Sequence, residues 1–209
     1  MSFFSELIEY MPDFLSGLWL TIYLTLVSAI VGLVAAVPLV LGVLYGNRFF
    51  KLLSKGYITI VRGTPLLVQL FFIYYGIPAL GLRIQPLTAA LIGFILNSAA
   101  YQAEYLKGGF LAITSEQMEA AYSIGLNKWQ AIRDIIFPQA FRFAIPALSN
   151  EVIYLVKYTS VAYIIQVPEL FAQAKFFASD TFFHLRIFIL IGIVYLVLIF
   201  GITKLTDWL

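Results

Sequence analysis

Between Asp13 and Arg48 the chain carries no charged residue. A helix that long in water needs a polar face to meet solvent, and this stretch has no charge to offer. In a bilayer about 20 apolar residues are enough to cross the hydrocarbon, so the segment reads as a membrane span. The composition agrees. Hydrophobic residues make up 62% of the 209, aromatic residues 17% and charged residues 11%, where soluble domains carry roughly 25% charged residues. The mean hydropathy is +0.94. These values exclude an ordinary soluble enzyme and a disordered chain, and a net charge of +2 excludes a basic nucleic-acid binder. With no cysteine and His184 as the single histidine, there is no thiol chemistry, no disulfide and no histidine cluster for a metal.

Charges punctuate the remainder of the sequence. Spans are expected at about 17–45, 63–82, 86–110, 145–167 and 184–204, with a polar segment at 114–138. The expected fold is an all-α membrane protein of five transmembrane helices, a single domain over 1–209. Thr64 and Pro65 suit a hydroxyl cap followed by proline at the start of the second span. Glu6, Glu9 and Asp13 are the charges of the N-terminal segment, which lacks the basic start of a secretory signal; insertion without cleavage is expected. Arg48, Lys51, Lys55 and Arg62 precede the second span, and Lys128, Arg133 and Arg142 lie between the third and fourth. Basic loops stay in the cytoplasm. The pattern therefore places the N-terminus outside and the C-terminus inside.

The 114–138 segment reads as two short helices. Thr114 with Gln117, and Asn127 with Gln130, have capping-box spacing. Gly125 permits the left-handed turn that stops the first helix, and Pro138 is read as the end of the second. On physical grounds this element is either an amphipathic connector resting on the membrane or a docking element for a partner.

The residues then show a resemblance. Glu119-Ala120-Ala121, Gly125, and Ile135 with Phe137-Pro138 are similar in type and spacing to the EAA loop of ABC importer permeases. Arg62-Gly63-Thr64-Pro65-Leu66 with Gln69, Tyr74 to Pro78, Tyr101 to Glu104 with Lys107-Gly108-Gly109, and Pro138-Gln139-Ala140 with Pro146, Asn150 and Lys157 resemble the polar amino-acid permeases of that class. The resemblance covers nearly the whole chain. It departs at Glu116, where the family has glycine, and at Tyr158, where the family has aspartate.

Several expectations follow from the resemblance. The 114–138 segment would be a cytoplasmic coupling helix between the third and fourth spans, docked on a cytoplasmic ABC ATPase dimer through Glu119, Ala120, Ala121, Gly125 and Pro138. ATP and magnesium would be bound by that ATPase, with no cofactor on this chain. A second permease subunit, identical or similar, and an extracytoplasmic amino-acid-binding protein would complete the importer in a prokaryotic inner membrane. The chain has no phosphate-binding loop of its own.

Ionisable groups at membrane depth face a cavity or a partner. Glu151, Tyr154 and Tyr158 share one helical face, with Lys157 beside them; Asn97, Tyr101, Glu104 and Gly108 form a stripe on the third span. Asn97, Tyr101, Glu151, Tyr154, Lys157 and Tyr158 are accordingly candidate substrate-lining residues. Glu151 is suited to an ammonium group, the tyrosine rings to a cation, and Lys157 to a carboxylate or to pairing with an acid. Glu104 and Lys107 lie near the expected cytoplasmic end of the third span, where side chains reach water. A polar amino acid is the expected cargo. The same residues also suit an ion-gradient-driven carrier or channel, and a structural subunit without a passage would need neither stripe.

Overall fold

The computed structural model describes residues 3–207, which are helical apart from short connections. A short α1 (Phe3–Glu9) leads into α2 (Met11–Tyr45), a 35-residue helix. At 1.5 Å per residue α2 is roughly 50 Å long, well beyond the hydrocarbon thickness of about 30 Å. It serves as the mast of the fold. Helices α3 (Arg48–Gly63), α5 (Pro86–Leu111), α8 (Phe137–Tyr158) and α9 (Leu170–Thr181) all pack on it, and α10 (His184–Asp207) closes the far side against α8 and α9.

Helices α2 and α10 are long and apolar enough to cross a membrane by themselves. Helix α3 and the segment from α4 (Leu66–Phe71) through Leu80 qualify as a third span only together, bent by 104° between them. Of the expected second span at 63–82, residues 66–80 are helical and lie on the far side of this bend. The basic stretch before it is helix rather than loop, because Ser54 and Ile58 fall one turn apart on a buried face while Lys51 and Lys55 point outward. Charge marks which face of a helix is wet, and here it was read as marking a loop.

The role given to Thr64 is corrected too. Pro65, not Thr64, precedes α4, and the Thr64 hydroxyl donates back to the Ile60 carbonyl at 3.0 Å.

Pro138 looks like a helix end and does not end its helix, whereas the helix through Pro78 closes two residues later at Leu80, with Gly81 at a φ of +86°. A π turn at Phe72–Gly76 finishes two residues before Pro78, and another at Ile132–Ile136 finishes two residues before Pro138. Proline removes one N–H and crowds the carbonyl a turn earlier. The extra residue of a π turn opens that spot, so α7 (Lys128–Ala131) runs through its π turn into α8. The fourth long helix therefore begins at Phe137 rather than 145, and it closes as a 3-10 turn over Thr159–Ile165. The connection after it holds a helix, α9, capped by the carboxylate of Glu169, which accepts from the Phe171 and Ala172 N–H groups at 2.9 and 2.8 Å. The wholly buried Glu169 also accepts from the Tyr195 hydroxyl at 3.1 Å, which ties α9 to α10.

Three apolar clusters lie along α2. One gathers Phe14 with Phe177 and Ile187, the next Leu24 with Leu70 and Phe94, and the last Ala36 and Val40 with Leu106, Ile136 and Ala140. Between the last two lies a buried polar layer of Ser28, Asn97, Ser98, Gln102 and Glu151. Gln102 donates to the Ala29 carbonyl at 3.0 Å and the Ser98 hydroxyl at 2.8 Å, fastening α5 to α2 where Gly32 permits close approach.

Helices α5 and α8 approach closely at Gly109, where a Cβ would collide with the Ala140 carbonyl. Overpacking of this kind costs about 1–3 kcal/mol. Gly109→Val is expected to lower the unfolding midpoint of the purified protein in detergent. Gly108→Ala, where no neighbouring atom lies within 4 Å, is expected to leave it unchanged.

Candidate functional site

The 104° bend between α3 and α4 builds one wall of a polar cavity. A break in a helix leaves backbone groups without partners, and Gln69 supplies them here. Its amide nitrogen donates to the Val61 carbonyl at 2.7 Å, the Thr64 carbonyl at 3.0 Å and the Thr64 hydroxyl at 2.9 Å. Its amide oxygen accepts from Asn97 on α5 at 3.2 Å. The cavity is about 340 Å³, lined by Arg62, Gly63, Thr64, Pro65, Leu66, Asn97, Tyr101 and Tyr158, within the roughly 300–1,000 Å³ of small-molecule sites.

Three candidate residues, Asn97, Tyr101 and Tyr158, meet in this cavity. The other three do not line it. Glu151 is 3% exposed, turned to the side chains of Ser98 and Tyr105 inside the polar layer. Tyr154 and Lys157 lie on the open face of α8, with the Lys157 ammonium 5.6 Å from the Tyr154 ring. The Tyr154 and Tyr158 rings stack at 6.2 Å on that same face. Helical periodicity put Glu151 beside the tyrosines; α5 packs over the Glu151 side of α8 and stops short of the other.

Arg62 was read as a topology marker. Its guanidinium lies 5.1 Å from the Tyr101 ring and 3.5 Å from Glu104, which also pairs with Lys107 at 3.1 Å. The sequence signal for it is slight, a basic residue one position before the bend. A larger open cleft of about 790 Å³ between α8 and α10 gathers Arg142, Ser149 and Asn150 and none of the candidate lining residues.

The 114–138 segment projects from the α5–α8 end as α6 (Ser115–Ser123), a turn and α7. Gly125 has φ of +86°, and the Leu126 N–H returns to the Ala121 carbonyl at 3.1 Å. The Asn127–Gln130 capping box forms, with Asn127 accepting from the Gln130 N–H at 3.0 Å and its own N–H donating to Gln130 at 2.9 Å. The Thr114 box does not form, since the Thr114 side chain makes no cap bond. Ala121 is buried while Glu119 and Ala120 are exposed, and Tyr122, Ile124 and Trp129 present 48%, 73% and 58% of their surface. Arg133 donates to Asp134 at 2.6 Å, which holds the Asp134 carboxyl below its ordinary range. Pro138 is exposed as well, on the first turn of α8 in the continuous α7–α8 run.

A polar cavity inside a bundle of apolar helices, with a projecting helix pair that leaves large apolar side chains uncovered, is the build of a solute permease that works with a second protein. A protein-family model for the inner membrane component of binding-protein-dependent transport systems matches residues 28–209. The chain is 39% identical over 188 residues to the probable amino-acid ABC transporter permease protein YckA of Bacillus subtilis (strain 168), covering 90% of this chain and 83% of the relative. It is 37% identical to the nopaline transport system permease protein NocM of Agrobacterium fabrum (strain C58 / ATCC 33970), covering 97% and 89%. Among solved structures, a crystallised amino acid ABC transporter with histidines superposes with a TM-score of 0.91 at 35% identity, over 100% of this chain and 97% of that one. The MetNI methionine ABC transporter in an inward-facing conformation shares the fold, with a TM-score of 0.82 at 21% identity over 99% and 96%. This chain belongs to the family of inner-membrane components of binding-protein-dependent transport systems. It is a multi-pass ABC importer permease, a transport subunit rather than a catalytic one.

Replacing Gln69 by leucine would strip the Val61 and Thr64 carbonyls and Asn97 of their common partner, at about 1–3 kcal/mol for each group left buried and unsatisfied. Gln69→Leu is expected to lower the thermal midpoint by several degrees. An unchanged midpoint with intact transport would show that the bend does not depend on this amide.

Proposed function

We propose that this chain moves a polar amino acid into the cytoplasm by alternating access, as the membrane half of an ATP-driven importer. Helices α5 and α8 join α2, the α3–α4 pair and α10 to make five crossings. The loop charges support an outside N-terminus and an inside C-terminus. Two such subunits, identical or similar, would face each other across a passage. An extracytoplasmic receptor would deliver substrate, and a cytoplasmic ABC ATPase dimer would bind ATP and magnesium.

The single observation that carries the coupling half of this reading is the exposed turn at Gly125. Around it Glu119, Ala120, Tyr122, Ile124 and Trp129 form an uncovered surface at a helix pair continuous with α8. An ATPase seated there would push on α8 through α7 and the π turn, which run into α8 without a break in the helical backbone. The relatives support the cargo class: NocM is a nopaline permease and ArtQ of Bacillus subtilis an arginine permease, the latter 35% identical over 96% of this chain. The cavity at the α3–α4 bend is the substrate site this reading favours, with Asn97, Tyr101 and Tyr158 in contact. Glu151, Tyr154 and Lys157 then shape its surroundings and the facing surface.

The test is receptor-dependent uptake of labelled amino acids by the complex reconstituted in liposomes. Uptake is expected to require ATP and the ATPase. Gly125→Asp, which adds a Cβ where φ is +86° at a cost of roughly 1–2 kcal/mol, and Glu119→Arg are expected to uncouple ATP hydrolysis from uptake in a protein that still folds. Uptake by the permease alone under an ion gradient would instead identify a secondary carrier.

A further inference from the structure

The cavity at the bend has an uneven charge balance. Arg62 and Lys107 share one carboxylate, that of Glu104. Lys107 takes both of its oxygens, at 3.1 and 3.2 Å, whereas Arg62 reaches it with one nitrogen at 3.5 Å. Most of the guanidinium's five donors are therefore unspent, and the group lies 5.1 Å from the Tyr101 ring at the cavity wall. The other lining residues, Gly63, Thr64, Pro65, Leu66, Asn97, Tyr101 and Tyr158, are all neutral. The nearest further acid, Glu151, is buried behind Ser98 and Tyr105.

We propose that this cavity selects its cargo by charge: Arg62 binds the α-carboxylate of a neutral or acidic amino acid, and amino acids with a cationic side chain are excluded. The proposal rests on the amino-acid reading above and narrows it, setting this chain apart from the arginine permease ArtQ by a cavity lining that carries no carboxylate. A guanidinium fork matches a carboxylate in geometry as well as charge. The end of α3, at Gly63, lies on the same wall; the Val61 and Thr64 carbonyls there are taken by Gln69, and the Tyr158 ring on the lining offers the α-ammonium a π face. A second ammonium or a guanidinium on the substrate would find no carboxylate on the lining and would face the surplus positive charge of Arg62 and Lys107. Between unit charges a few ångströms apart at the rim of a protein, that penalty is worth about tenfold or more in affinity.

The test is equilibrium binding of radiolabelled glutamine, glutamate and arginine to the detergent-solubilised permease–ATPase complex without its receptor. Glutamine or glutamate is expected to bind at least about tenfold more tightly than arginine. Arg62→Gln, which leaves the Lys107–Glu104 pair intact, is expected to remove most of that binding. Tyr158→Glu adds a carboxylate to the lining without touching the ion-pair cluster, and it is expected to raise arginine affinity about tenfold. Arginine binding as tight as glutamine and glutamate in the unaltered complex overturns the proposal, as does unchanged binding in an assembled Arg62→Gln complex or a Tyr158→Glu complex that gains nothing for arginine. Failure of receptor-dependent uptake for every amino acid would instead overturn the amino-acid reading itself.

Discussion

Breaking a helix leaves backbone groups without partners, and at Thr64 and Pro65 one amide supplies them. Gln69 accepts from α5 and donates to the end of α3, so three helices meet at a single side chain. The cavity exists because the bend exists. Arg62, at the last turn of α3, lies against Tyr101 and Glu104 because α3 packs on α5, where the Tyr57 hydroxyl donates to the Leu96 carbonyl at 2.6 Å.

The buried polar layer obeys the same rule. Gln102, Ser98 and Glu151 lie between apolar clusters and are partnered there, while the Ser28 hydroxyl is the one buried side-chain polar atom among the described residues without a hydrogen bond. A layer of this kind fixes the register of α2, α5 and α8, because sliding one helix by a turn would leave every member unpaired. Register matters for function here. Helix α8 joins the exposed α6–α7 pair to the cavity wall at Tyr158, so a push at one end is delivered at the other only if α8 moves as a rigid unit.

The residues that periodicity found and those it missed divide on physical lines. Gly125, the Asn127–Gln130 box and the start of α10 at His184 depend on neighbours within a few positions, and they were legible. The Thr114 box was equally well spaced, yet its hydroxyl makes no cap bond. Spacing permits such a bond without requiring it. Pro138 reads as a stop because proline lacks an N–H; the π turn before it costs one residue and removes the conflict. Glu151 was placed with Tyr154 and Tyr158 because a helical wheel has no knowledge of which side a neighbour covers.

The sequence by itself determined that the chain lives in a membrane, where its long apolar helices lie and which segment stands outside them. Apolar runs, loop charges and short-range motifs act locally, so they can be read in order along the chain. Tertiary structure alone decided that Arg62 belongs to the cavity, that Glu151 lies behind it, and that α3 and α4 meet at 104°. Those outcomes depend on which faces of α5 and α8 come together, and the pairing of buried polar groups across helices settles that.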